Sequence, residues 1–251
     1  MILLGDYHTH TVYSHGWGTI EDNVKVAVKK GLKQIAITDH GFDHRMFGVN
    51  RKVIGEMREE VERLKKIYDI DILLGLETNL ISSQGDIDLT KQEEEKLDIV
   101  LMGYHKTAMA INMNERIHFF NKNLIAKHFG YTKEMIQKHT DAYLKALDKN
   151  NIDVLTHLNY GMPVDCIQIA KLALEKGTYI ELNGKRTIFT REECEKMVDM
   201  KVKFIVNSDA HRDYRVGECN LPTNFALKNH IPDELIVNFN EIPKFKQHRK
   251  I

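Results

Sequence analysis

This sequence lacks the marks of a secreted or membrane-spanning chain. It has three cysteines, Cys166, Cys194 and Cys219, and no two of them form a Cys-x-x-Cys pair. An odd number cannot pair completely, so free thiols in a reducing compartment are expected. No stretch approaches the ~20 consecutive apolar residues that a membrane helix needs. After Met1 the apolar run Ile2-Leu3-Leu4 ends at Gly5-Asp6, which does not read as a secretory leader. The cytoplasm is the expected location, with no membrane partner.

Net charge is missing too. Lys plus Arg and Asp plus Glu both total 36. Proteins that grip nucleic acid broadly carry a basic excess, so nucleic acid is not an expected partner. The local exception is Lys244, Lys246, His248, Arg249 and Lys250, which reads as a solvated tail. Prolines number four, and no repeat, low-complexity stretch or linker divides the chain. One domain over residues 1–251 is expected. The oligomeric state is not legible.

What is present is a regular alternation of β-branched runs and helical patterns. Strands are expected at Ile2–Tyr7, Gln34–Thr38, Ile70–Leu76, Asp98–Met102, Asp153–Leu155, Thr178–Leu182 and Lys203–Val206. Helices are expected at Glu21–Lys30, Arg51–Tyr68, 132–149, Asp165–Lys176 and Arg191–Met200. Such alternation builds a parallel sheet. No glycine-rich dinucleotide fingerprint follows the first strand, which favours a closed or distorted (β/α) barrel over a doubly wound sheet. The stretch 107–130 holds Met109, Met113, His118, Phe119, Phe120 and His128 without a clean period. It reads as an insertion over the barrel mouth and a candidate lid.

Histidine is abundant, with thirteen in the chain. His8, His10, His40, Glu77, His105, His157, Asp209 and His211 all fall at the C-terminal ends of expected strands, and His15 lies in the loop after the first. Active sites of βα barrels assemble at that end. Residues i and i+2 of an extended segment point the same way, so His8 with His10, and Asp209 with His211, can each present two donors to one ion. Asp39, beside His40, is a candidate acceptor that orients an imidazole. Imidazoles with a few carboxylates suit zinc, iron or manganese better than magnesium or calcium. Nine donors exceed the needs of one ion and point to roughly three, with Glu77 bridging two. His44, His118, His128, His139, His230 and His248 are read as ordinary histidines.

These residues resemble the polymerase-and-histidinol-phosphatase (PHP) family. The matching pieces are Asp6-Tyr7-His8-Thr9-His10-Thr11 with His15, Ile37-Thr38-Asp39-His40-Gly41, Gly75-Leu76-Glu77, Gly103-Tyr104-His105, Thr156-His157 and Asn207-Ser208-Asp209-Ala210-His211. The resemblance implies a distorted (β/α)7 barrel of the stand-alone phosphatase branch, with a trinuclear site. His8, His10, Glu77 and Asp209 would surround one metal, and Glu77 would bridge to a second held by His105 and His157. His15, His40 and His211 would hold the third. Two features depart from the pattern: Leu158-Asn159-Tyr160 follows His157 where a proline is common, and 107–130 is long.

Three divalent ions bring about six positive charges, of which Glu77 and Asp209 cancel about two. A phosphate monoester dianion meets that excess; a neutral ester does not. A metal-bound hydroxide, not a side chain, is the expected nucleophile. Arg186, Arg212 and Lys106 are candidates to grip the phosphate. The competing readings are a phosphodiesterase or 3′–5′ exonuclease, a histidinol-phosphate phosphatase, and a non-catalytic metal-binding protein. The second would need an acidic group for the substrate's ammonium, and none is evident in the sequence.

Overall fold

Parallel strands occupy seven positions in chain order, each hydrogen-bonded to the next. The computed structural model describes residues 2–246. The strands are β1 (Gly5–Asp6), β2 (Gln34–His40), β3 (Asp71–Asn79), β4 (Ile99–Gly103), β5 (Val154–Leu155), β6 (Tyr179–Asn183) and β7 (Phe204–Asn207). Beyond β1 and β7 the chain pairs again, Thr9 with Ala210, and His10 N donates to Ala210 O at 2.8 Å. That seam brings the ends of the sheet together at the mouth, giving a nearly closed (β/α)7 barrel.

Outside the sheet lie α1 (Ile20–Lys29), α2 (Ile54–Lys65), the single turn α3 (Lys91–Glu94), α4 (Met113–Glu115), α5 (Lys122–Phe129), α6 (Lys133–Lys149), α7 (Cys166–Lys176), α8 (Arg191–Asp199) and α9 (Asn220–Lys228). Their starts follow from local chemistry. Thr19 with Asp22 and Thr190 with Glu193 form reciprocal capping boxes on α1 and α8, and Asp165 caps α7. No helix among the described residues is long and apolar enough to cross a membrane.

Alternation along the strands divides two environments. In β2 and β3, Ile35, Ile37, Ile72, Leu74 and Leu76 pack outward against α1 and α2. Ala36, Leu73, Ile99, Leu101, Val154 and Ile205 fill the lower barrel with Tyr7 and Phe245. Inward positions further along the same strands are polar: His40, Glu77, Glu181 and Asn207, all buried. The barrel is an apolar plug below and a polar basin above, because period-2 side chains change chemistry toward the strand ends.

Three expectations change. The first strand is two residues long, since Leu3 pairs antiparallel with Phe239 instead of continuing along β2. The stretch 107–130 is largely helical: α4 runs into a π-helical turn at Arg116–Asn121 and then α5. The wider turn breaks the 3.6-residue spacing, which hides the helix from a periodicity reading. Its Phe119 and Phe120 are buried in the core with Leu158 and Met162. The basic tail is corrected in part. Lys246 N donates to Asp153 Oδ1 at 2.7 Å and Lys246 Nζ to Ile152 O, so the chain there is docked. His248, Arg249 and Lys250 lie outside the described residues.

Candidate metal centre

Glu77, near the end of β3, is the centre of the basin. It is 1% exposed. Its Oε1 lies 2.8 Å from His157 Nε2 and 3.3 Å from His105 Nε2. Its Oε2 lies 3.0 Å from His40 Nδ1, 3.3 Å from His8 Nε2 and 3.6 Å from His10 Nε2. One carboxylate therefore faces two separate groups of imidazoles. Asp209 approaches from the other side, with Oδ1 3.5 Å from His10 Nε2 and 3.8 Å from His8 Nε2.

Among the described residues, three sets of donors lie close enough to hold an ion: His8, His10 and Asp209; His40, Glu77 and His105; and His10, His40 and His211. The fit is chemical as well as spatial. His8 Nε2, His10 Nδ1 and Nε2, His40 Nδ1, His157 Nδ1 and Glu77 Oε2 are buried without a hydrogen-bond partner. Buried polar atoms left unmatched are costly. Imidazole and carboxylate donors clustered in this way suit a divalent cation of the zinc, manganese or iron type.

His15 stands apart from these sets. It is exposed, stacked on Phe47 at 3.9 Å between ring centroids, and edge-on to His211 at 4.9 Å. His44 is buried and stacked on His40 at 4.6 Å; its Nδ1 accepts from Phe47 N and its Nε2 meets Thr107 Oγ1. Both of its nitrogens are occupied in holding the loop after β2.

Protonation follows the packing. Burial, with the neighbouring His211 and His40, holds His10 well below the ordinary imidazole range, and burial lowers His40 to about 3. Burial opposes ionisation of Glu77, but His105 and His8 outweigh it, and its carboxyl is held well below the usual range. Asp209 is also held well below, as His8 and His10 overcome burial. Neutral imidazoles beside ionised carboxylates are the ligand-competent forms. His8 differs: burial lowers it, but Glu77, Glu181 and Asp209 together hold it well above the ordinary value.

Several contributors are invisible in the motifs. Glu181 in β6 is buried, with Oε1 2.7 Å from His8 Nδ1 and Oε2 accepting from His157 N at 2.8 Å. Asn79 Oδ1 is 2.8 Å from His105 Nδ1. These two, not Asp39, orient the imidazoles. Asp39 accepts from Thr11 N and Oγ1 at 2.7 and 2.6 Å and from Ser14 Oγ at 2.5 Å, so it shapes the loop after β1. The one signal for Glu181 in the sequence is a carboxylate inside the apolar run Tyr179-Ile180-Glu181-Leu182. Backbone conformation is specialised here as well. His157 and Asp209 have φ of 30° and 50°, where non-glycine residues are uncommon. A Cβ on Gly103 would lie 2.8 Å from His157 Cε1, so that ring needs a glycine beside it.

Above the basin is a cavity of about 180 Å³, whose rim includes Tyr160, Lys185 and Arg186. The Arg186 guanidinium lies over the Tyr160 ring, 4.0 Å from its centroid. Of the three basic residues expected at the phosphate, Arg186 lines the cavity, and Arg212 and Lys106 do not. Arg212 turns outward over Trp17 at 4.0 Å, and Lys106 is exposed. Lys185, not singled out in the sequence, reaches Asp209 Oδ1 at 2.9 Å.

A PHP domain model matches residues 6–185. A probable phosphatase of Caldanaerobacter subterraneus subsp. tengcongensis is 30% identical, over 98% of this chain and 91% of its own length. A probable phosphatase of Thermoanaerobacter sp. (strain X514) is 29% identical, over 100% of this chain and 96% of its own. Among solved structures, the histidinol phosphate phosphatase of Lactococcus lactis subsp. lactis, complexed with zinc, L-histidinol and phosphate, shares the fold. Its TM-score is 0.62, at 16% identity over 98% of both chains. With a family model over most of its length and relatives aligned from end to end, this chain belongs to the PHP domain family.

Proposed function

We propose that this protein is a hydrolase of phosphate monoesters that works with three divalent cations. His8, His10, Glu77 and Asp209 would surround one, Glu77 would bridge to a second at His105 and His157, and His15, His40 and His211 would serve the third. The observation that carries the reading is the division of Glu77: Oε1 toward His105 and His157, Oε2 toward His8, His10 and His40. A carboxylate so placed suits a bridge. Relatives named as probable phosphatases support the same reading.

When bound, the cations would supply Lewis acidity and a hydroxide nucleophile at neutral pH. The chain's own groups do the rest. Glu181 and Asn79 fix the ring orientations of His8 and His105. Arg186 offers planar donors at the rim for phosphate oxygens, held by its stack on Tyr160. Among the described residues, the acidic ones lining the cavity are Glu77 and Asp209, both engaged with imidazoles. A rim carrying Lys185 and Arg186 with no free carboxylate favours an anionic small molecule over an aminated one such as histidinol phosphate. The test is phosphate release by metal-replete protein from a panel of monoesters, beside a diester and single-stranded DNA. Turnover that survives complete chelation, or that prefers the diester or DNA, defeats the proposal.

A further inference from the structure

Lys185 stands where a cation would. Its ammonium is 2.9 Å from Asp209 Oδ1 and 2.6 Å from His211 Nδ1. An ammonium only donates, so at this distance the Nδ1 must offer its lone pair. Asp209 and His211 each belong to a set of donors able to hold an ion. The same lone pairs cannot serve the ammonium and a metal together.

The placement is built, not incidental. Asn183 Oδ1 accepts from Lys185 N at 2.9 Å and Arg186 N at 3.1 Å, pinning the loop backbone after β6. Asn183 Nδ2 in turn donates to Glu181 and Asp209. Gly184 lets this loop press against β7, because a Cβ there would lie 2.4 Å from Ser208 O. The Lys185 side chain remains 32% exposed, with open cavity beside it into which it can withdraw.

We infer that Lys185 is a tethered counter-cation that competes with metal ions for Asp209 and His211, which belong to two neighbouring donor sets. This rests on the metal-site reading above. Without metal the ammonium balances Asp209. Loading either set requires it to leave, and those two cations therefore bind more weakly than their donors alone would allow.

The experiment is a titration of metal-free protein with Zn²⁺ or Mn²⁺ against a chromophoric chelator. Wild type is compared with Lys185→Gln, Lys185→Met and Lys185→Arg, with circular dichroism of each as a folding control. Removing the charge should tighten the two cations served by Asp209 and His211 by about tenfold to a hundredfold, the size of effect a nearby like charge produces in a partly screened site. The third cation should keep wild-type affinity, and Lys185→Arg should stay near wild type. Having both Gln and Met keeps the test available should one of them misfold. Equal or weaker binding in the uncharged variants overturns the inference while leaving the metal site intact. No binding to any of the proteins overturns both.

Discussion

Glu181 holds His8 by its Nδ1 at 2.7 Å, and so turns the opposite nitrogen, Nε2, toward Glu77. The same carboxylate accepts from the His157 backbone N through its other oxygen, tying the His8 ring and the chain at His157 to one acid. Replacing it with an amide puts an NH₂ group against donors. Glu181→Gln is expected to weaken metal binding by about 10–100-fold, the usual effect of disturbing a ligand's outer partner. Metal content after dialysis checks this. Wild-type content in a folded variant would remove Glu181 from the site.

Removing and restoring metal should register in stability as well as turnover. A ligand that binds only the native state stabilises it by about 2.7 kcal/mol at a hundred times its Kd. Apo protein is therefore expected to melt several degrees lower than protein given Zn²⁺ or Mn²⁺. Phosphatase activity should vanish with EDTA and return with metal. A melting temperature indifferent to both ions would argue that the buried donors do not form a cation site.

Arg186 and Arg212 were equal candidates by motif and are unequal in place. Arg186→Ala is expected to raise KM by about tenfold with a smaller change in kcat, the pattern of lost binding common to ground and transition states. Arg212→Ala, which removes a side chain stacked on Trp17, should leave both constants within about twofold. Steady-state kinetics on one monoester decides it; the reverse ranking would place the substrate on the other side of the mouth.

Asp153 gives a pH dependence remote from the metal donors. Burial raises its carboxyl to about 6 from an ordinary 3.8, against hydrogen bonds from Lys246 N and Val100 N. Between about pH 6 and pH 4 the native state takes up a proton that the unfolded chain does not hold, so acid stabilises the wild type through this group. Asp153→Asn has no such proton to gain. The wild type should gain on the order of 2 kcal/mol relative to the variant on going from pH 6 to pH 4. Denaturant unfolding of both proteins at the two pH values measures this; a constant gap contradicts it.

Much of the barrel was readable because strand runs and ligand residues share one rule. An apolar stretch ending in His or Glu announces both a strand and the rim of a basin, as at Ile37–His40 and Leu73–Glu77. What stayed hidden depends on pairing across the fold. Glu181 is one acid in an apolar run until His8 and His157 are seen to need it. Lys185 resembles any loop lysine until Asn183 fixes its backbone. Asp39 sits next to a ligand in sequence, but its acceptor oxygens are taken by Thr11 and Ser14. The π-helical turn at Arg116–Asn121 defeats a reading tuned to 3.6 residues, although its two phenylalanines are as buried as any in the core.

The seam between β1 and β7 has a consequence for the order of assembly. Ser208 Oγ and N bind the Asp6 carboxylate across a separation of 202 residues, beside His8 and His10 on one flank and Asp209 and His211 on the other. A nascent chain on the ribosome has its first two histidines almost from the start, but must wait for the last strand to meet their partners. Contacts of such long range form late. Cation capture should thus report the final closure step of folding, and chains stalled before β7 should remain unable to retain the ion.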